Sequence, residues 1–338
     1  MHKALFWEKY EKREGVVKCT LCPHFCLIQD GKAGACAIRV NKKGELYTLV
    51  YGRMIAGHVD PIEKKPLFHF YPGSSIYSYA TAGCNMKCSF CQNWDISQVS
   101  KGSSGEVFGK SMSPEEIVKD AIRNGCNSVA MTYNEPSIQF EYALDVCREA
   151  KKKGLKTVFV SNGYISQEAC DKISKYLDAI NIDLKAFSDE FYKKVTGSRL
   201  QPVLDSIKRY HKNGVFMEIT TLVIPGENDS PEELKDIATF IASVDKNIPW
   251  HVSRFHPDYK MRNKERTSMK SLEIAYDAGK KAGLNYVYVG NVHSDEREST
   301  YCPACGKCVI ERRGFRVIGM EIIDGKCGFC KNRISGCF

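Results

Sequence analysis

From about residue 53 to 298 the chain alternates short β-rich apolar runs with longer amphipathic stretches, a pattern that predicts parallel β–α units. The predicted strands are the runs at 76–81, 128–132, 157–160, 179–184, 216–224, 251–255 and 286–289. Helix signals lie between them. Ser113-Pro114-Glu115-Glu116 and Ser230-Pro231-Glu232-Glu233 each set a capping hydroxyl before a first-turn proline and acidic residues. Gly125, Gly154, Gly214 and Gly283 stand where a helix ends in a left-handed residue. After Pro136, Phe140, Leu144 and Cys147 recur at helical spacing, so that stripe is core. Six or seven such units close, wholly or partly, into a (β/α) TIM-type barrel, whose chemistry sits at the carboxyl ends of its strands.

The flanks follow neither period. Residues 1–52 carry Cys19-Thr-Leu-Cys22-Pro-His-Phe-Cys26, then Cys36, then a hairpin turning near Lys43-Gly44. So few apolar residues cannot form a core alone, which predicts an N-terminal Cys-rich metal module with Cys19, Cys22, Cys26 and Cys36 as ligands. Zinc is the favoured metal. An auxiliary iron–sulfur cluster stays open because C-x₂-C-x₃-C is not a pair of knuckles, and His24 between the thiols reads as a bystander. Residues 299–338 carry Cys302-Pro-Ala-Cys305 and Cys327-Gly-Phe-Cys330, two C-x₂-C knuckles that predict a C-terminal zinc ribbon. Cys308 and Cys337 are surplus to it. The ribbon reads as a structural cap, with docking or electron relay as the alternative. The expected domains are therefore 1–52, 53–298 and 299–338.

At 338 residues, with 43% hydrophobic and 26% charged side chains, the composition is that of an ordinary globular protein with room for one large α/β domain. No apolar run is long enough to cross a bilayer, and the charged first residues lack the core of a signal peptide. A cytoplasmic location is expected, with no membrane partner. The sixteen cysteines fall into clusters at 19–36, 84–91 and 302–337, with only Cys126, Cys147 and Cys170 standing alone as expected core residues. Clustered thiols in a reducing compartment indicate metals, not disulfides. The formal charge of +9 counts every thiol as neutral. Ionised thiolates on two zinc sites and one cluster would bring it to roughly +4. No long run of like charge exists, so nucleic acid is a poorly supported partner, although an acidic substrate such as tRNA stays open.

Directly after the first predicted strand comes Ala82-Gly-Cys84-Asn-Met-Lys-Cys88-Ser-Phe-Cys91-Gln-Asn-Trp94. A C-x₃-C-x₂-C run can hold three corners of a four-iron cluster and offers no fourth ligand, leaving one iron free to bind a small molecule. A structural zinc site would instead pair its thiols in separated knuckles. Polar residues gather at the other strand ends: Thr132-Tyr-Asn-Glu-Pro136, Ser161-Asn-Gly163, Asp183-Leu-Lys185, Val223-Ile-Pro-Gly226 and Phe255-His-Pro257. In register with a cysteine loop, they compose a binding site.

In this order, the motifs resemble the radical S-adenosylmethionine (SAM) core of the pyruvate formate-lyase activating enzyme group. Within that group the chain is most similar to radical SAM enzymes of the AmmeMemoRadiSam system, which share the N-terminal Cys-Pro-x-x-Cys segment, Asp60–Gly73 and the ribbon tail. The resemblance covers nearly the whole chain. It implies an oxidoreductase-type enzyme with a [4Fe–4S] cluster on Cys84, Cys88 and Cys91 and SAM on the fourth iron. Glu135 with its neighbour Asn134 would hold the SAM amino group, and Ser161 and Asn162 would lie beside the methionine moiety. Asp183 and His256 would bond the ribose hydroxyls, and Lys185 would pair with the carboxylate. Two positions depart from the group. Tyr133-Asn134 replaces the Gly-Gly of Gly-Gly-Glu-Pro, which turns Tyr133 or Asn134 toward substrate, and Val160 replaces an Asp that would ligate a monovalent cation. The implied partners are an unidentified small-molecule or protein substrate, an electron donor such as flavodoxin or ferredoxin, and the Memo and AMMECR proteins. Two further readings are carried forward: a glycyl-radical-enzyme activase and a non-catalytic metal-binding or electron-transfer scaffold.

Overall fold

The computed structural model describes residues 1–102, 107–292 and 296–338. Its centre is an eight-stranded sheet whose strands lie in chain order. The strands are β1 (Ala56–Pro61), β2 (Ser75–Ala80), β3 (Ser128–Met131), β4 (Lys156–Ser161), β5 (Ala179–Asp183), β6 (Phe216–Val223), β7 (Trp250–Arg254) and β8 (Val287–Gly290). All seven predicted strands are present within a residue or so of their expected bounds. From β2 to β8 every neighbouring pair is parallel. β1 pairs antiparallel with β2, so that Asp60 faces Ile76. The sheet's first and last strands, β1 and β8, are not paired with each other, which makes the barrel partial.

The crossovers are helices α1 (Pro114–Arg123), α2 (Phe140–Lys152), α3 (Gln167–Ser174), α4 (Leu200–Lys212), α5 (Pro231–Val244) and α6 (Met269–Lys281). Ser113 starts α1 in a full capping box with Glu116, and Ser230 caps α5 by accepting from the Glu233 N–H. Strands covered by helices on one face and packed inward on the other are buried throughout: every residue of β3 is buried. Phe140, Leu144 and Cys147 are buried as the helical spacing predicts, and so are Cys126 and Cys170.

The two flanking sections dock at opposite ends of the barrel. The N-terminal hairpin, Arg39–Lys42 with Glu45–Thr48, turns at Lys43 and Gly44 as expected. Its neighbour, the strand Val17–Cys19, leads to a tip that lies against the carboxyl ends of the strands. The Ser166 N–H donates to the Leu21 carbonyl (3.0 Å), and Arg199 donates to the Pro23 carbonyl (2.9 Å). The tail forms a small sheet of Thr300–Tyr301, Cys308–Arg313 and Arg316–Met320 beneath the strand starts. There Phe68, Tyr286, Tyr288, Cys302, Val309, Cys327 and Ile334 share one apolar cluster. Buried Arg312 crosses this joint, donating to the Phe68 carbonyl (2.6 Å) and the Thr300 hydroxyl (2.8 Å). No described helix is long and apolar enough to cross a membrane.

A buried ion pair fixes the N-terminal section to α2. Arg39 and Glu141 meet at 2.9 Å with side chains 1% and 2% exposed, and the same carboxylate accepts the Leu5 N–H at 2.6 Å. Removing one member strands the other charge out of water. Arg39→Ala is expected to cost about 3–5 kcal/mol in urea unfolding, whereas Arg39→Met with Glu141→Leu, which removes both charges, costs much less. Equal losses in the two variants would show that the pair is not what couples the sections.

Candidate active site at the barrel mouth

The loop 81–93, immediately after β2, has no regular structure of its own and is held by its neighbours. Lys87 and Ser89 donate backbone N–H groups to Thr196 and Val195 (2.8 and 3.1 Å). Asn134, after β3, donates its side-chain amide to the carbonyls of Thr81 and Gly83, the latter at 2.8 Å. Asn85 donates to the Tyr164 carbonyl (2.8 Å) and accepts from the Asn162 amide (2.9 Å) after β4. The ends of β3 and β4 and the helical turn Tyr192–Thr196 therefore grip one loop.

The grip places three thiols at the mouth. Cys84 and Cys88 are buried and Cys91 is half-buried. Burial pushes the Cys84 thiol far up its range, with the Glu135 carboxylate adding to it. Cys88 is pushed up to about 11 by burial, partly offset by the Lys185 charge. A metal would take these thiols as thiolates with release of their protons. The Met86 N–H donates to Cys84 Sγ at 3.4 Å, and Asn162 Nδ2 lies 3.8 Å from the same sulfur. The Ser97 hydroxyl sits 3.2 Å from Cys91 Sγ. These donors suit sulfurs that carry negative charge.

Lys185 reaches Asp183 at 2.8 Å after β5, and its ammonium stands 5.6 Å from the Phe90 ring centre. Burial works against that charge, yet Asp183 and the Cys88 thiol outweigh it and hold Lys185 well above the usual lysine range. A firm cation thus faces the cysteine loop.

Glu135 is 1% exposed and already committed within the protein. It accepts from the Ser161 hydroxyl (2.9 Å) and from the N–H groups of Ser137 (2.9 Å) and Asn162 (2.8 Å). Its role is to join the ends of β3 and β4. Ser161 and Asn162 accordingly lie beside Cys84, within one hydrogen-bonded set. His256 is exposed, one residue beyond buried Phe255 at the end of β7. The same segment closes over the loop: the Lys260 N–H donates to the Ser89 carbonyl (3.0 Å), and Trp94 stacks on Tyr259 with centroids 5.3 Å apart.

The expected contribution of Tyr133 takes a different form. Its backbone is left-handed (φ 66°), and its hydroxyl donates to Asp60 at 2.6 Å inside the barrel. Asp60 also receives Lys65 (2.6 Å) and Lys64 (2.9 Å). Burial favours the neutral acid, but these donors prevail and hold Asp60 well below the carboxylate range. Sequence reasoning missed Lys65 and Asn85. Asn85 adjoins Cys84 and could have been suspected on that ground, whereas Lys65 gave no signal.

The tail cysteines come together as expected. Cys302, Cys305, Cys327 and Cys330 have sulfurs all within 4.8 Å of one another and could hold one metal ion. Among the described residues no other group of His, Cys, Asp and Glu converges so tightly. Cys19, Cys22, Cys26 and Cys36 therefore do not gather as closely as the tail cysteines.

Residues 78–241 match the model of the Radical SAM superfamily. The chain thus carries a radical SAM domain, homologous to pyruvate formate-lyase activating enzymes. An uncharacterized protein of Methanocaldococcus jannaschii is 41% identical over 337 residues, covering 99% of both chains. The pyruvate formate-lyase-activating enzyme of Clostridium pasteurianum is 26% identical over 230 residues, 63% of this chain and 92% of its own. Among solved structures, a radical SAM methyltransferase from Sphaerobacter thermophilus matches 71% of each chain at 15% identity with a TM-score of 0.52, a likeness of fold alone.

Gly83 permits the close packing behind the loop. It has φ +100°, and an added Cβ would lie 2.9 Å from Ile38 Cγ2 and 3.2 Å from the Cys36 carbonyl oxygen. Gly83→Ala is expected to lose about 1–3 kcal/mol of stability through strain and overpacking together. Gly125→Ala, left-handed (φ +66°) with nothing within 4 Å, isolates the strain. Equal losses in urea melts would leave no role for the packing at Gly83.

Proposed function

We propose that the chain is a radical SAM enzyme whose cluster ligands are Cys84, Cys88 and Cys91 and whose substrate lies over the barrel mouth. The group they would hold is a [4Fe–4S] cluster, which supplies the electron that splits SAM into methionine and a 5′-deoxyadenosyl radical able to abstract hydrogen. The supporting observation is that one pinned loop carries three thiols and meets the ends of β3, β4 and β5.

The residues around the thiols suit the ligand group by group. Lys185 offers a cation to the SAM carboxylate, and Asp183 with His256 offers partners to ribose hydroxyls. Asn134 Oδ1 is buried without a hydrogen-bond partner, which suits an ammonium donor. Glu135 positions Ser161 and Asn162 and, with Asn134, would meet the SAM amino group. The trio of thiols disfavours a pure scaffold, because a relay cluster would take a fourth thiolate. An activase for a glycyl-radical protein is the second reading, favoured by the homology to activating enzymes. An external one-electron donor of the flavodoxin or ferredoxin kind is required in either case. We place the protein in the AmmeMemoRadiSam system, with the Memo and AMMECR proteins as partners, on the motifs it shares with that group. The assignment of 1–52, 53–298 and 299–338 as separate domains, a cytoplasmic location, and zinc as the tail metal complete the reading.

Anaerobic protein given iron, sulfide, dithionite and SAM is expected to form 5′-deoxyadenosine. Cys88→Ala abolishes it, and Lys185→Met raises the KM for SAM about tenfold or more, the value of one charge-assisted bond. An intact four-iron cluster that leaves SAM uncleaved would end this reading.

Protein purified without added metal is expected to hold about one zinc per chain in the tail. Cys305→Ala should lose that zinc and melt earlier. Unchanged zinc content would exclude the ribbon as its site.

A further inference from the structure

The N-terminal cysteines form a set that the proposed reaction does not use. Cys19 and Cys26 are brought level by the Cys19 N–H donating to the Cys26 carbonyl (3.0 Å). Between them a tight turn, in which the Phe25 N–H donates to the Cys22 carbonyl (3.1 Å), carries Cys22 at its tip. The next segment folds back over Cys26. The Ala35 N–H donates to Cys26 Sγ at 3.4 Å, and a Cβ on Gly34 would lie 3.5 Å from that sulfur. Another turn, closed by the Ala37 N–H on the Gly34 carbonyl (2.8 Å), wraps buried Cys36. The backbone beside two of these cysteines is left-handed at residues that are not glycine, Phe25 (φ 45°) and Ala37 (φ 60°). Strain of that kind persists where a fixed geometry is needed.

The turns bring the four cysteines into one small module. With Zn–S bonds of about 2.3 Å, tetrahedral thiolates sit about 3.8 Å apart, which the tail reproduces in Cys302–Cys330 (3.6 Å) and Cys305–Cys327 (3.8 Å). An iron–sulfur cluster binds each thiolate through a different iron or shares two irons, and so spreads the ligands. Among the described residues neither the N-terminal set nor Cys84, Cys88 and Cys91 gathers three sulfurs as closely as the tail does.

The set also abuts the first cysteine loop. The Cys36 carbonyl accepts the Ser100 hydroxyl (3.3 Å) and lies against Gly83, the residue before Cys84. His24 Nε2 is 2.7 Å from the Asn85 carbonyl. Lys101, which follows Ser100, is anchored on the Met86 carbonyl at 2.7 Å, within the first cysteine loop.

We propose that Cys19, Cys22, Cys26 and Cys36 hold a second iron–sulfur cluster, fully ligated by thiolates, that passes single electrons to the cluster on Cys84, Cys88 and Cys91. The electron-transfer role rests on the function proposed above; the site itself does not. In the transfer, one electron leaves the reduced second cluster and enters the oxidised first one. A low-potential one-electron donor protein then restores the second, and no bond to cysteine is made or broken.

The test uses the full-length C84A/C88A/C91A variant, reconstituted anaerobically with iron and sulfide. It should keep iron and acid-labile sulfide in equal amounts, about two to four of each per chain, and show on dithionite reduction an electron paramagnetic resonance signal that SAM does not alter. Wild type should hold about four more irons, with a fully reduced spectrum broadened by coupling between neighbouring clusters. Cys26→Ser in the wild-type background should lose the SAM-insensitive signal and keep the SAM-sensitive one. Should that variant not fold, the metal count of the triple variant decides alone. A triple variant with a second zinc and no iron, or with neither metal, would overturn the proposal even if wild type cleaves SAM. Two clusters in a wild type that leaves SAM intact would uphold the site and remove the reaction.

Discussion

Residues 81–93 have no helix or strand to fix them, so the three thiols keep their relative places through the packing of Met86 and Phe90 and through hydrogen bonds. Most of the anchors from elsewhere are neutral amide or backbone groups, with the Lys101 ammonium on the Met86 carbonyl as a charged one. A neutral bond is worth only about 1 kcal/mol net. Several distributed along a short loop leave little freedom for it to move without breaking more than one. The carboxylate of Glu135 reinforces the arrangement one layer back by locking the ends of β3 and β4 together. The site's geometry is therefore inherited from the barrel, and chemistry at the loop is as rigid as the sheet beneath it.

Charge is handled differently at the two ends of the barrel. The network of Asp60, Lys65 and Tyr133 is buried beside the end of β1 and the start of β2. Near the opposite edge, Glu218 accepts from His251 (2.6 Å) and from the His69 N–H (2.7 Å). Both are satisfied pairs within segments that also touch the tail or the 60–73 connection. Such groups are costly to bury but costlier to separate, so they specify where the connection and the tail must lie. At the mouth, by contrast, Lys185 is paired with an aspartate whose side chain is 38% exposed. That exposure leaves the pair able to exchange partners with an incoming carboxylate.

The strands and helices were legible because each depends on local sequence. Apolar runs, a serine before proline and acidic residues, and a glycine after a helix act within a few positions. β1 escaped notice because Ala56–Pro61 shows no alternation that a one-sided strand would display: it is half-buried and exposed in mixed order. The ribbon and the cysteine loop were legible for a similar reason, since ligand spacing is written in the chain. How closely the N-terminal cysteines gather was not legible, because their placement is set by the turns at Phe25 and Ala37. Those turns place ordinary L residues in the left-handed region, for which sequence gives no warning. The positioning role of Glu135 was hidden as well, since its partners Ser161 and Asn162 lie a whole β–α unit away.

The pair Tyr133-Asn134 replaces two glycines of the activating enzymes, and the structure shows how side chains are accommodated there. Position 133 is left-handed, the conformation in which glycine is free and any other residue is strained by about 1–2 kcal/mol. The tyrosine offsets that cost with its bond to Asp60 and a cation from Lys65 over its ring at 4.6 Å. It therefore points into the barrel and leaves the mouth open. Asn134 does the reverse and turns outward to the cysteine loop, where its two N–H donors are used and its oxygen is left over. A buried acceptor with no donor costs about 1–3 kcal/mol, which a bound ammonium group would recover. Backbone flexibility at these two positions has thus been exchanged for one strut and one buried acceptor left without a donor.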